Sequence, residues 1–504
     1  MSNKLLFWQT SDWFNFNLAN SLQEYDFRLF SIIDTVNKPK KFFQSQKFVN
    51  YEKIWFFHDS IKKNMKYDVE YLNQFESKYK INLWLLAANE RLFYRFNPFY
   101  KFSTEEILSI IEQECKFFES ILEDVKPDFL IISLTWQHHG ELLRQLCKAK
   151  GIKILMINSS ELGGGSQYWT ISEEFGEKDF EEKIEVKSKQ NITFKELREY
   201  LNKWDNYEIT KKFSKTNNEN KKKNRLIAGL NVLSSKNINS DTHFSYYGRS
   251  RTKLIKHELD SEINSKKRKS FIDKNFHREY DKNEKMISFF LHTEQEKALL
   301  IAAPFFTNQL EVMRHLVKSL PVGYGLLVKE HPSMELRGWR EISEYKEMMN
   351  MPNVKMIHPG ADTLELIKDS KLVISINSTA GFEALFYNKP SINFQRRGYS
   401  KISSSFVVGE LNDLPELIRN ALVTKVDPQE VYEYIQTLTK DLFQFDYLGF
   451  VTSYSNQLHA NNNLVDVTIN DDNMKKFLDL HKDEFHSLAS EYVKKINTHM
   501  ENKN

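Results

Sequence analysis

Residues 325–339, GLLVKEHPSMELRGW, followed by 352–394, PNVKMIHPGADTLELIKDSKLVISINSTAGFEALFYNKPSINF, decide the reading of this chain. Four short apolar runs, Leu326 to Val328, Val354 to Ile357, Leu372 to Ile376 and Ser391 to Phe394, have the length and β-branched character of buried strands. Helical segments lie between the second and third and between the third and fourth. Strands alternating with helices imply a parallel sheet. Lys329, Glu330 and His331 follow the first run, and Asn377, Ser378 and Thr379 follow the third, so both clusters fall beyond carboxyl ends of strands. That is where open α/β sheets bind ligands.

The residue types at that edge suit an anion. Ser378-Thr379-Ala380-Gly381 opens the helix carrying Phe382, Glu383, Ala384 and Leu385, so backbone N–H groups, two hydroxyls and the positive end of a helix dipole converge. Ala380 and Gly381 leave the first turn bare enough for a diphosphate or nucleotide to come close. His331 adds a donor and Lys329 a fixed charge, while Glu383, one turn into the helix, is placed to accept from the hydroxyls of a ribose. Taken singly, Ser378 reads as a cap and His331-Pro332 as a turn. Together, at adjacent strand ends, the two clusters read as one phosphate site, which requires Ser378 and His331 on the same edge of the sheet.

The chain has 504 residues, more than one core usually fills, so two domains with insertions are expected. A formal net charge of +3 does not commit the whole chain to nucleic acid, and no nucleic-acid partner is expected. The 38 Phe and 22 Tyr suit large cores and sugar-stacking surfaces. Cys115 and Cys147 lack metal spacing and form no disulfide framework. The amino terminus lacks the apolar core of a signal peptide and no apolar run approaches a membrane span, so a cytoplasmic location is expected, with peripheral contact to an inner membrane as a further expectation.

Residues 1–175 read as a first α/β domain, with strands at Leu5 to Trp8, Phe27 to Ile33, Ile54 to Phe57, Phe129 to Ser133 and Ile152 to Ile157. Ser103-Thr104-Glu105-Glu106 is a capping box that launches a helix with Ile107, Ile111, Phe118 and Leu122 on one face. Thr135, Gln137, His138 and His139 follow one strand, and Asn158 to Glu161 another. His138, His139 or Glu161 is a candidate base, each histidine weighed against a role in capping the helix start. The Gly163-Gly164-Gly165 loop would admit a sugar, and the adjacent histidines lack a third metal ligand near them in sequence, so no metal is expected.

Residues 176–284 thin in apolar content and grow dense in charge, a connecting segment expected to be largely helical with a loop over Asn217 to Lys223. Lys266, Lys267, Arg268 and Lys269 read as a solvated face, with contact to a lipid-linked glycan or acidic leaflet as the functional alternative. A second domain over 285–460 opens with a strand, Met286 to Leu291, whose end carries His292, Glu294 and Glu296. Thr307 or Asn308 caps the next helix, while Asn308 and Gln309 are also candidates to touch a sugar. Arg396 or Arg397 would neutralise a carboxylate on an acidic sugar. Phe443 to Tyr454 is expected to cross back to the first domain, and residues 461–504 are expected as a lysine-rich helical tail.

FFLHTEQE, APFFTNQLEV, SLPVGYGLLVKEHP, PNVKMI and INSTAGFEALFYNKPSINF together resemble the carboxyl-terminal half of bacterial capsule-polysaccharide biosynthesis proteins related to Kdo (3-deoxy-manno-octulosonate) transferases. The resemblance is strong over about residues 285–400 and loose before them. It implies an α/β protein of GT-B fold, two Rossmann-like domains with an interdomain cleft and carboxyl-terminal helices. It implies a glycosyltransferase moving a sugar, Kdo-like in the nearest case, from a nucleotide-sugar to a glycan or lipid-linked glycan acceptor. The His-Pro and Ser/Thr pair resembles the CMP-phosphate site of bacterial sialyltransferases, so a CMP-sugar is the favoured donor. That donor is a substrate, and neither cofactor nor metal is implied. The acidic cluster Glu294 and Glu296, with His292 where some relatives carry other residues, would face the reacting carbon. UDP-GlcNAc 2-epimerases share the fold, so an epimerase is one alternative; a non-catalytic assembly protein is another.

Overall fold

The structure, a computed structural model, describes residues 2–133, 137–162, 167–173, 192–202, 204, 243–459 and 467–501. The described residues up to 173, from 243 to 254 and from 442 onward pack as one compact unit. Those at 192–204 and 255–441 pack as another.

Unit 1 is built on a seven-stranded sheet in the order β13-β6-β5-β4-β1-β2-β3. Its strands are β1 (Asn3–Gln9), β2 (Phe27–Ile33), β3 (Lys53–Phe56), β4 (Phe129–Ile132), β5 (Lys153–Ser159), β6 (Tyr168–Ser172) and β13 (Phe443–Gln444). β1 to β5 are parallel, β6 runs antiparallel to β5, and β13 is antiparallel to β6. Apolar residues on both faces of the parallel strands explain why each face is covered. One side packs Leu5 and Phe7 against Phe14 and Phe16; the other packs Leu6 and Trp8 against the helix Thr104–Val125. That helix starts with the expected box: Ser103 accepts from the Glu106 N–H, and Glu106 accepts from the Ser103 N–H. Lys126, in the left-handed conformation, ends it.

Unit 2 holds a six-stranded, wholly parallel sheet in the order β12-β11-β10-β7-β8-β9. Its strands are β7 (Met286–Phe290), β8 (Gly325–Lys329), β9 (Val354–Ile357), β10 (Leu372–Ser375), β11 (Ser391–Asn393) and β12 (Ser405–Val407). Numbered from β7, the order is 3-2-1-4-5-6 read from the β9 edge, the arrangement of doubly wound dinucleotide folds. The direction of winding reverses between β7 and β10, and ligands bind at the carboxyl ends there. The protein is α/β with two Rossmann-like sheets.

Two expectations about organisation change. The tail, expected as a segment apart at 461–504, lies in unit 1: Phe477, Phe485, Leu488, Tyr492 and Ile496 of the helices Asp471–Leu480 and Lys482–Glu501 join the core around Phe14. An apolar stripe at such spacing is stable only when another surface covers it. Of the segment 176–284, the described part is helix at Phe194–Leu201 and Arg251–Asn275 with a short turn at Phe244–Tyr246. It is shared between the units rather than standing as a connector of its own. Thr135, the Gly163 to Gly165 loop and Asn217 to Lys223 lie outside the described residues. The basic cluster is largely neutralised within unit 2: Lys266 meets Glu262, Arg268 meets Glu341 and Lys269 meets Glu335. Among the described residues no helix is long and apolar enough to cross a membrane.

Candidate functional site

At the switch point of unit 2 the ends of four strands are tied together by side chains. His292, just past β7, has its backbone gripped by Gln309, whose amide accepts from the His292 N–H at 2.7 Å and donates to its carbonyl at 3.0 Å. Its Nε2 accepts the N–H of Asn377, just past β10, at 3.0 Å. Asn377 in turn donates to the Ala298 carbonyl and accepts from Arg397, which follows β11. Thr293 lies 3.3 Å from Nδ1 of His331, which follows β8. The edge therefore carries Ser378 and His331 on one side of the sheet's ends, as a shared site requires.

Under this edge runs a buried ionic network built on Arg340. Its Nε donates to Glu330 at 2.6 Å, one terminal nitrogen reaches Glu294 at 2.5 Å, and the other donates to the His292 carbonyl at 2.8 Å. Tyr345 donates to Glu330 at 2.9 Å, and the other Glu330 oxygen accepts the His331 N–H. Burial alone would drive the guanidinium toward neutrality, but Glu330 and then Glu294 hold it firmly charged. Neither Arg340 nor Tyr345 stands out in the sequence, where both sit in an unremarkable polar stretch. The available signal was Glu330, since a carboxylate directly after a buried strand demands a cation.

The side chains singled out from the sequence divide into struts and groups that can touch a ligand. His292 is a strut. Burial, and then the neighbouring His331, Arg397 and Arg340, press its pKa down to about 3, and its Nε2 lone pair is already taken. It is corrected from a catalytic group to a clamp between β7 and β10. Glu294, bound to Arg340, belongs to the network beneath; Glu296 is half-buried at the start of the helix Lys297–Leu300. Asn377 spends its amide on the protein. Gln309 is buried and holds His292 rather than a sugar, and Asn308 caps its helix by accepting from Glu311.

The helix start is also more self-satisfied than its sequence suggests. Ser378 Oγ accepts the Ala380 N–H at 2.9 Å, and Thr379 donates to Glu383 at 2.9 Å. Gly381 serves packing rather than ligand approach: a Cβ there would lie 2.7 Å from the Tyr399 hydroxyl and 2.9 Å from Asn393 Oδ1. That hydroxyl donates to the Ser378 carbonyl at 2.7 Å, which fixes the turn. Glu383 and Arg396 are exposed.

Two groups remain ready for an anion. Lys329, 5% exposed, donates to Thr363 Oγ1 at 2.7 Å and has no ion-pair partner among the described residues. Burial lowers its pKa, with Asp362 and Glu383 pulling the other way. His331 accepts the Ser333 N–H through Nδ1, so the proton of the neutral ring is assigned to Nε2, which has no partner among the described residues. Burial depresses its pKa as well, and the neutral ring is a donor.

In unit 1, His138 is held on both sides. Nδ1 lies 2.8 Å from Glu90 and Nε2 2.9 Å from Glu114, all three buried. Burial would lower its pKa, but Glu114 and then Glu90 raise it to about 10. A charged ring with both nitrogens committed cannot accept a proton, so His138 is corrected from base to structural cation. Glu114, His138 and His139 stand near enough to one another to hold a metal ion, a grouping that sequence spacing did not show because Glu114 comes from a different helix.

Residues 231–402 match the model of the capsule polysaccharide biosynthesis protein family. The matched stretch contains every residue of the switch-point site from His292 to Tyr399. No curated protein matches the chain. Among solved structures, the β-Kdo 2,7 transferase of Thermosulfurimonas dismutans KpsC is 13% identical, covering 71% of this chain and 98% of its own, at a TM-score of 0.28. The β-Kdo 2,4 transferase of the same protein is 10% identical over 64% and 87%, at 0.31. The UDP-GlcNAc 2-epimerase of Methanocaldococcus jannaschii is 12% identical over 87% and 100%, at 0.24. These superpositions are too loose to carry an assignment.

Proposed function

We propose that this chain is a glycosyltransferase of capsular or other surface-polysaccharide assembly, moving a sugar from a nucleotide-sugar held by unit 2 to a glycan or lipid-linked glycan acceptor. The observation that carries this reading is Lys329, a buried ammonium beside the switch point whose direct partner is a single hydroxyl. Asp362 and Glu383 act on it only from beyond direct contact, and a buried cation so placed is costly; a leaving phosphate would supply a close counter-ion. His331 Nε2–H and the Ser378 hydroxyl are the remaining donors at the same edge, and Arg396 is free to meet a carboxylate on the sugar. These donors serve the leaving phosphate without a metal, so transfer should survive a chelator.

The test is a thermal-shift panel of CMP, UDP, GDP and CDP. Ligand at about a hundred times its dissociation constant stabilises by about 2.7 kcal/mol, and CMP is expected to give the largest shift. Lys329→Met should lose most of that shift while leaving the midpoint without nucleotide little changed. The best nucleotide's sugars are then offered with and without capsular oligosaccharide, and products are read by mass spectrometry. An epimerised donor formed without acceptor would replace this reading with an epimerase. No shift with any nucleotide would leave a non-catalytic assembly protein. Contact with an inner-membrane surface belongs to the same proposal and is checked by co-sedimentation with anionic vesicles.

A further inference from the structure

Unit 2 carries an open pocket of about 580 Å³ that the switch-point site does not use, lined by Phe194, Arg198, Lys368, Tyr387, Asn388 and Lys389. Lys368 lies near the end of the helix Thr363–Asp369, which leads into β10, and Tyr387 to Lys389 lie between the helix Ala380–Leu385 and β11. The pocket therefore sits at the amino ends of these strands, with the switch-point site at their carboxyl ends. All of its lining belongs to unit 2. Each of the six is half-buried or exposed, so a dissolved ligand can reach it.

Among the described residues the lining holds three cations and no carboxylate. Arg198, on the helix Phe194–Leu201, donates to the Phe386 carbonyl at 3.0 Å, and its guanidinium stands 5.4 Å from the centre of the Tyr387 ring. The Lys368 ammonium stands 5.4 Å from the same centre. Side chains held on a ring and a carbonyl have already given up rotamer freedom, so an anion that meets them has less ordering to impose. Lys368 is paired with Glu365 at 2.9 Å, but neither Arg198 nor Lys389 has an ion-pair partner among the described residues. Burial, and then Lys371, lower the Lys389 pKa, with Asp369 pulling the other way. Asp369 is itself engaged by Lys282 and by the Tyr280 hydroxyl. Asn388 accepts the Val426 N–H through Oδ1, which leaves its amide nitrogen as a further donor. Donors that converge without an acceptor complement an oxyanion.

We infer that this pocket binds a ligand carrying two or more oxyanion groups, phosphates or sugar carboxylates, with Arg198 and Lys389 as its principal contacts. The guanidinium fork takes one oxyanion through two N–H groups, and the Lys389 ammonium takes a second as a point charge. Pockets for organic ligands span about 300–1,000 Å³, so a lone phosphate would leave most of this one empty. The two charged groups therefore belong to one larger molecule. A membrane surface fits less well, because these cations line a hollow. Nothing in this depends on what the switch-point edge does.

The probes are inorganic pyrophosphate and the linear trimer of galacturonate, titrated by calorimetry at low salt into the full chain carrying Lys329→Met, which removes competition from the switch-point cluster. At least one should bind with a dissociation constant below about 1 mM, and the one that binds separates a phosphate source from a carboxylate source. Arg198→Gln and Lys389→Gln should each weaken that binding about tenfold, while the nucleotide shift of chains that keep Lys329 is retained. Acylation of lysines, read by mass spectrometry, should show Lys389 and Lys368 protected by the bound probe, whereas Lys266, 76% exposed, reacts as before. The inference falls if neither probe binds, if both substitutions leave the affinity within about threefold, or if Lys389 stays open to acylation. Binding seen only with phosphatidylglycerol vesicles would overturn it in favour of a membrane surface. Should a variant not fold, the acylation footprint of the unaltered chain decides. Failure of the transferase reading looks different: no nucleotide raises the midpoint of the unaltered protein, yet the probe still binds.

Discussion

Arg340 joins more of the switch-point site than any residue the sequence drew attention to. It pairs with Glu330 and Glu294 and holds the His292 carbonyl, so removing it leaves two buried carboxylates without that shared cation. Breaking a buried pair by deleting one partner typically costs about 3–5 kcal/mol. Arg340→Met is expected to destabilise unit 2 by about that much, read as the urea midpoint of its transition. Nucleotide binding should weaken with it, because His292 and His331 lose their anchors. Lys329, His331 and Ser378 were legible as polar groups at strand ends because each sits directly after an apolar run. The groups that tie this edge down were not, since Thr363 lies 34 residues from Lys329, and Arg340 and Tyr345 lie 10 and 15 from Glu330, with no periodic signal to mark them.

At the scale of elements, the unit 2 strands fall almost where their apolar runs lie, because a strand covered on both faces needs continuous hydrophobicity. Short or one-sided elements escaped notice: β12 spans Ser405–Val407 and β13 only Phe443–Gln444, too brief to rise above the surrounding sequence. The carboxyl-terminal helices were visible as helices but not as core. Phe485, 1% exposed, packs among Phe14, Phe445 and Phe450. Phe485→Ala should cost unit 1 about 3–5 kcal/mol, seen by calorimetry as a lowered transition for that unit, with the nucleotide-dependent shift of unit 2 retained. Truncating the chain before the helix Asp471–Leu480 should be worse, since it uncovers the whole stripe.

For the molecule as a whole, two buried histidines make opposite demands on pH. His138 in unit 1 titrates at about 10 in the fold against an ordinary value of 6.5, so the fold binds the extra proton, and its contribution is full below pH 6.5 and lost as pH rises toward 10. His292 in unit 2 titrates at about 3, so there the unfolded chain binds the extra proton, and stability is lost as pH falls below 6.5. Calorimetry at pH 5, 6.5 and 9 should therefore show the unit 2 transition falling on the acid side and the unit 1 transition falling on the alkaline side. Transitions that move together at both extremes would contradict these protonation states. A histidine doubly protonated at pH 8, lost in His138→Gln, would confirm the first of them independently.

The sequence by itself determined the α/β class, the parallel sheet of unit 2, the capping of the helix Thr104–Val125 and the strand-end edge at which an anion would bind. All of these follow from local spacing, where neighbours along the chain are neighbours in space. Only the tertiary structure decided what each polar side chain does there. It turned His138 into a fixed cation between Glu90 and Glu114, His292 into a clamp and Gly381 into a packing necessity, and it left Lys329 and His331 with something to offer a ligand. The physical reason is that the charge and tautomer of a buried group are set by partners from distant segments, 24 and 48 residues away for His138 and 85 for His292.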